Sequence, residues 1–312
     1  MENIFDIESP ITGKKDVSIC EELSVKKIID EYKKIGLDVT NNYTGISSIK
    51  ILKCNESGYR FYYPYSTIGD KNFYVELAER EAYYPEIRWE HKLTINFISK
   101  EDKVLEIGSG FGAFLNLLKT KNIEGTGLEL NPAAIENCSK QGLDIRNELS
   151  DAHLVNNHEK YDVVCFFQVL EHVYDVKGFL DAALGLLKPN GKLYIAVPNS
   201  NPYLYKYDKF HAMNLPPHHA GLWDKDTLSR LQDHYNITLD ELKVEPLHVN
   251  VNEYWDAMYE ESKSIKNNYF LTFLFNATKP IRKVYARNFI EGRNLLAVYT
   301  KKTQPTISSS SR

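Results

Sequence analysis

The chain has no surplus of basic residues: 38 Lys and Arg stand against 42 Asp and Glu, for a formal net charge of -4. That balance argues against DNA or bulk RNA as the main partner, because nothing in the total neutralises a phosphate backbone. Cysteine is scarce, with four in 312 residues at positions 20, 54, 138 and 165 and no CxxC pair. Such spacing supports neither a disulfide framework nor a zinc site. Cys138 and Cys165 fall in apolar-periodic stretches and read as small core residues. Met1–Pro10 carries acids and lacks the apolar core of a signal peptide. Tyr269–Phe275, the longest apolar run near the C-terminus, is too short to span a bilayer. No internal repeat is visible, and a cytoplasmic location is the expectation. With 43% apolar and 26% charged residues, the composition is that of a globular protein large enough for one main domain and a smaller one.

Hydrophobic periodicity divides the sequence into an aromatic N-terminal part, a regular middle and an irregular last third. Residues 24–35 form a short amphipathic helix that stops at Gly36. Ser48–Lys53 and Tyr59–Tyr63 read as two strands around a turn, and residues 72–98 as helix interrupted near Pro85. From Lys103 strand and helix alternate. Strands fall at Lys103–Ile107, Gly125–Leu130, Leu143–Arg146, Tyr161–Phe167 and Lys192–Val197. The helices between them include Phe111–Lys121, one opened by Pro132, and Val176–Leu187, which Pro189-Asn190-Gly191 closes. This alternation predicts a doubly wound α/β fold with a parallel sheet. Residues 199–223 form a long Pro-, Tyr- and His-rich loop. Thr227–His234 is a helix, and Asp240–Val249 and Leu295–Lys301 are the last strands, with a helical insertion over 252–290 between them. The division expected is an extension over 1–100, a main domain over 101–303 and a polar, disordered tail over 304–312.

The chemistry concentrates in Val104-Leu-Glu106-Ile-Gly108-Ser109-Gly110-Phe-Gly112, where a strand enters a glycine-rich turn and then a helix. Glycines let the backbone come close to a ligand that a Cβ would push away. Taken alone, this stretch also satisfies the dinucleotide fingerprint as Gly108-x-Gly110-x-x-Ala113, with Glu129 near the place of a ribose-binding acid. NAD and S-adenosylmethionine both remain open on this motif.

The wider set of motifs resembles the class I S-adenosylmethionine-dependent methyltransferases. Glu106-x-Gly108-x-Gly110-x-Gly112 is similar to that family's first motif, and Glu129 to its second-strand acid. Gln168-Val-Leu170-Glu171-His172-Val173 resembles its fourth-strand stretch, and Leu186-Leu-Lys188-Pro189-Asn190-Gly191 the turn into its fifth strand. The resemblance implies a Rossmann-like seven-stranded sheet with an antiparallel last strand, and a small N-terminal α+β extension. It implies S-adenosyl-L-methionine as cofactor. Gly108 and Gly110 would face its methionine part, Glu106 would orient the glycine loop or meet the ammonium, Glu129 would bond both ribose hydroxyls, and Ser109, Gly112, Leu130, Gln168 and Val169 would also bind the cofactor. Asp144 to Glu148 are candidates near the adenine. Lys53-Cys-x-x-Ser57-Gly58-Tyr-Arg60-Phe61 resembles the zinc-ribbon-like hairpin that precedes some bacterial members. Ser57 stands where a second cysteine would be, so zinc is not expected there. Pro216-Pro-His218-His219-x-x-x-Trp223 resembles a loop of members that act in surface-carbohydrate or secondary-metabolite synthesis.

On this reading the chain methylates a small molecule or a carbohydrate or glycan precursor, most naturally at oxygen. An alcohol acceptor needs a general base within hydrogen-bond reach, for which His172, His218 and His219 are the candidates, with His211 behind them. Capping, pocket closure or loop anchoring are the plainer roles for the same residues. The tyrosines at 62, 63, 65, 203, 205 and 207 either stack on an acceptor or fill the interface between the extension and the sheet. Spacing along the chain supplies no metal signature for Glu171, His172, His218 and His219, and no metal is expected. An RNA methyltransferase, an NAD-dependent oxidoreductase and a non-catalytic donor-binding protein are the rival readings.

Overall fold

The computed structural model describes residues 6–78, 87–202, 205, 209–252, 254, 255, 258 and 269–303. The expected break at Pro85, Tyr203, Tyr207, the middle of the 252–290 insertion and the tail from 304 lie outside these residues. Two sheets organise the chain. The smaller begins with β1 (Val17–Ser24), β2 (Ser48–Cys54) and β3 (Arg60–Tyr63), paired antiparallel, with helix α1 (Val25–Lys34) between the first two strands. Helices α2 (Lys71–Ala78) and α3 (Trp89–Thr94) follow.

The larger sheet is built on β4 (Lys103–Ile107), β5 (Glu124–Leu128), β6 (Asp144–Arg146), β7 (Tyr161–Phe167) and β8 (Leu187–Pro198), all parallel in the order β8-β7-β4-β5-β6. The short strand β9 (Gly221–Leu222) leaves this sheet and pairs with β3 of the smaller one. Two final strands, β10 (Ile237–Pro246) and β11 (Glu291–Lys301), extend the large sheet beyond β8 to seven strands, and β11 runs antiparallel to both neighbours. This is a doubly wound Rossmann-like sheet with a reversed last strand, as the sequence motifs imply. Both faces are covered. Leu105, Ile107, Val164, Phe166, Ile195 and Val197 pack on one side, while Val104, Val163, Cys165, Tyr194 and Ala196 pack on the other. Burial on both faces is why these strands read as continuous apolar runs with no alternation.

Elements that sequence periodicity does not reveal have plain physical reasons. Strand β1 is an edge strand with a register shift between Ile19 and Glu21, and only Leu23 of its residues is fully buried, so no period-2 apolar pattern exists to find. Helix α4 (Ser150–Asn157), between β6 and β7, buries only Ser150 and His153 and carries no apolar stripe. The Pro189-Asn190-Gly191 turn falls inside β8 as an irregularity: Tyr161 pairs with Leu187 and Val163 already with Lys192. Among the described residues no helix is long and apolar enough to cross a membrane.

The segment after β8 is held down by phenol hydroxyls. A buried loop carries carbonyls that water cannot reach, so each needs a donor. Tyr62 Oη donates to the Asn214 carbonyl at 2.9 Å, Tyr32 to Leu215 at 2.8 Å, Tyr74 to His218 at 2.8 Å, and Tyr43 to Pro216. All four donors come from the N-terminal part, and Tyr32, Tyr43 and Tyr62 are buried. The indole of Trp223 packs on Tyr59 with ring centroids 4.4 Å apart. Tyr62 therefore fills the interface. Tyr43→Phe keeps the ring and strips the buried Pro216 carbonyl of its donor among the described residues. It should lower stability by about 1–3 kcal/mol in urea unfolding; no loss would mean that another donor serves that carbonyl.

Candidate functional site

The glycine turn sits at the carboxyl end of β4, where ligands bind in open α/β sheets. Gly108, Gly110 and Gly112 all have positive φ, at 75°, 52° and 79°. At Gly108 a Cβ would lie 2.5 Å from Val169 Cγ2, and at Gly112 one would lie 2.5 Å from Leu143 Cδ1. The turn thus has no room for side chains, and Val169 presses directly on it. Ser109 is buried beside it. Glu129, at the end of β5, bridges back: one carboxylate oxygen accepts from Gly110 N at 2.8 Å, the other from Leu130 N at 2.7 Å and Asn131 N at 2.8 Å. Leu130 beside it is 46% exposed.

Glu106 points into the same region, 3% exposed, with Oε2 lacking any hydrogen-bond partner among the described residues. Burial, and after it the Glu129 charge, hold its carboxyl well above the usual carboxylate range. Gln168, in the left-handed region at φ 57°, donates from Nε2 to Glu90 Oε1 at 3.2 Å. Glu90 is fully buried, its Oε2 is unpartnered among the described residues, and burial raises its carboxyl. Sequence reasoning misses Glu90, because Trp89-Glu90-His91 looks like any helix start. The third-strand acids are already engaged: Asp144 accepts from Thr126 Oγ1 at 2.8 Å and pairs with Arg146 at 2.7 Å, while Glu148 lies 2.9 Å from His153 Nδ1.

Three residues past Val169 a second cluster forms. His172, His218 and His219 come together with ring centroids 4.5, 5.0 and 4.6 Å apart, although 46 residues separate the first from the second. His172 Nδ1 donates to the His218 carbonyl at 2.7 Å, and His218 Nδ1 to the Met213 carbonyl at 2.8 Å. Burial pushes His172 down to about 4 and His218 and His219 well below the usual imidazole range, so all three are neutral. Glu171 is 2% exposed, and burial raises its carboxyl to about 8. It lines a cavity of about 20 Å³ with His219, Ser200 and Trp223, room for about one water. His211 begins the 212–214 turn beside this cluster.

A family described as "Methyltransferase domain" matches residues 80–242, just over half of the chain. The chain belongs to this methyltransferase family. It is an S-adenosylmethionine-dependent methyltransferase. Its similar relatives include ubiquinone biosynthesis O-methyltransferases. That of Stutzerimonas stutzeri (strain A1501) is 24% identical over 190 residues, covering 53% of this chain and 82% of that one. That of Pseudomonas putida (strain GB-1) is 22% identical over 211 residues, covering 58% and 88%. Among solved structures, an S-adenosylmethionine-dependent methyltransferase from Archaeoglobus fulgidus aligns with a TM-score of 0.46 at 17% identity, over 74% of this chain and all of that one. The PH0226 protein from Pyrococcus horikoshii OT3 aligns at 0.49 and 15%, over 75% of this chain and all of that one.

For this methyltransferase the orphaned Glu106 oxygen and the glycine cradle are what a cationic ligand with a close backbone approach requires, so the residues fit the donor. In the donor-free protein Glu106 keeps its proton at pH values where the unfolded chain has lost it. It therefore costs stability as pH rises above the unfolded value of about 4.3. Glu106→Gln should gain melting temperature over the wild type progressively as pH rises above the unfolded carboxylate value. A difference that stays constant with pH would show that Glu106 ionises normally in the fold.

Proposed function

We propose that this methyltransferase transfers the methyl group to an oxygen of a small-molecule acceptor or a carbohydrate precursor, at the junction between the glycine turn and the histidine cluster. The observation that carries the reading is the contact chain itself: Gly108 touches Val169, and His172 follows three residues later beside His218 and His219. The donor supplies an electrophilic methyl on a sulfonium. Everything else asked of the protein is alignment, because in-line displacement depends on holding the acceptor oxygen behind that carbon.

Glu106, Gly108, Ser109, Gly110 and Gly112 hold the methionine part in this reading, and Leu130, Gln168 and Val169 border it. Glu129 takes the ribose. Three of its roughly four lone-pair sites already accept backbone N–H groups, so bonding both ribose hydroxyls makes one amide let go. On the acceptor side the tautomer of His172 is set by its Nδ1 bond, which leaves Nε2 as the proton-accepting nitrogen. The extension over 1–100 and the 199–223 segment act as the cover of the main domain over 101–303. An oxygen acceptor agrees with relatives named O-methyltransferase, and a carbohydrate precursor with the Pro216-Pro-His218-His219 loop.

A second reading has one observation in its favour. The cavity beside His219 holds about one water, far below the roughly 300 Å³ of a small-molecule pocket. Under that reading the acceptor side stays shut and the protein binds donor without turnover.

Calorimetric titration with S-adenosylhomocysteine and, in parallel, NAD tests the donor site. Saturable binding of the first alone is expected, and Glu129→Ala should weaken it by about ten- to a hundredfold through lost charge-assisted bonds. Unchanged affinity would remove Glu129 from the site. Labelled S-adenosylmethionine offered with a panel of phenols, hydroxy acids and nucleotide sugars tests the acceptor. Label should enter an ether oxygen, and His219→Ala should cut turnover far more than donor affinity. Label found only in RNA or on nitrogen would overturn the reading, and no transfer at all would favour the closed form.

A further inference from the structure

We propose that His172, His218 and His219 bind one divalent transition-metal ion, zinc by preference, with Glu171 compensating its charge. One ring nitrogen from each imidazole lies within 4.8 Å of the others. Two of the rings are already oriented as ligands are. His172 and His218 each direct Nδ1–H at a backbone carbonyl, which fixes the tautomer and puts the lone pair on Nε2. Ligating histidines almost always commit their second nitrogen in this way. His172 Nε2 stands 3.7 Å from Glu171 Oε1, too far for a hydrogen bond and close enough to share an ion.

Packing alone leaves one group unexplained. Glu171 Oε2 is buried without a partner among the described residues. The buried carboxyl stands beside an imidazole lone pair, an arrangement that costs desolvation energy until a partner satisfies it. A cation supplies what is missing. The donor set, three imidazoles and a carboxylate, suits zinc, with alkaline-earth ions excluded by the nitrogens. Tetrahedral ligands at roughly 2.0–2.1 Å from zinc sit about 3.3 Å apart. The rings therefore close in on binding, and His219, whose ring no described hydrogen bond restrains, is the one that moves.

Position gives the ion a consequence. His172 follows β7, three residues past the Val169 that packs on Gly108, whereas His218 and His219 belong to the segment after β8. One ion would staple that segment to the donor side of the large sheet. The ion and the acceptor reading compete for His172 Nε2, whose one lone pair either ligates a metal or takes a proton, so this inference does not rest on that reading.

The test is metal binding itself. Purified full-length protein is stripped with a chelator, dialysed and titrated with Co²⁺ as a visible probe and with Zn²⁺ in competition. One equivalent of Co²⁺ should give the absorption of a four-coordinate site, and Zn²⁺ should abolish it. Melting temperature should rise with added Zn²⁺. His172→Gln and His219→Gln should each weaken Co²⁺ binding by at least roughly a hundredfold, the upper end of what even outer partners cost. Glu171→Gln, which preserves shape, should weaken it without losing the fold. S-adenosylhomocysteine titration of the same samples reports on the donor site separately. Should the wild type take up no stoichiometric ion while still binding S-adenosylhomocysteine, the metal site is wrong and the donor reading stands. Uptake that survives His172→Gln and His219→Gln equally overturns these ligands.

Discussion

A loop that runs through the interior must find a donor for every carbonyl it buries, and in this methyltransferase that requirement ties the two sheets together. The segment from Asn214 to His218 turns its carbonyls toward the N-terminal part, where Tyr62, Tyr32, Tyr43 and Tyr74 meet them in succession. Tyrosine suits the task because its ring fills the apolar interface while its hydroxyl reaches the backbone. Strand β9 completes the attachment by pairing with β3, and Arg60 reaches across to Ser200 at 2.6 Å. The histidines at 218 and 219 are therefore placed by the extension. The Rossmann-like sheet contributes only His172.

The large sheet makes its own contribution through carboxylates it leaves unsatisfied. Glu90, Glu106 and Glu171 each bury an oxygen without a partner among the described residues, and each is held above the usual carboxylate range by burial. The unpartnered oxygen of each costs desolvation energy with no compensating bond. Their grouping around the glycine turn and the stretch after β7 is what a site that receives cationic ligands costs an empty protein. The sulfonium donor and the proposed metal ion are both cations.

The parts of this molecule that the sequence displayed are those in which function and local conformation share one signal. Glycines at 108, 110 and 112 are needed both for positive φ and for the close approach of Val169 and Leu143, so the motif is visible as composition. The strands β4, β7 and β8 are buried on both faces and stand out as apolar runs. What stayed hidden is non-local. Nothing near Glu90 announces that Gln168 will bond it across 78 residues. Nothing in the spacing of His172 and His218 announces that their rings will stand 4.5 Å apart. Strand β1 is an edge that buries almost nothing, and such strands have no pattern to read.

Access to the acceptor side follows from the same geometry. The space beside His219 and Glu171 holds about one water, so in the proposed reading an acceptor enters by displacing the segment that the tyrosines clamp. Opening then costs the bonds to Asn214, Leu215, Pro216 and His218 together, because one short stretch of chain carries all of them. Each such bond contributes roughly 0.5–1.5 kcal/mol net, which several acceptor contacts can offset. Binding of the acceptor and opening of the cover are thus one event in the proposed mechanism, and the binding free energy of the acceptor is drawn on to expose the imidazoles. Small hydroxylated molecules that offer many hydrogen bonds for their size meet that demand better than apolar ones, which is the physical argument for a sugar-like acceptor in a site lined by Ser200, Asn199 and histidine.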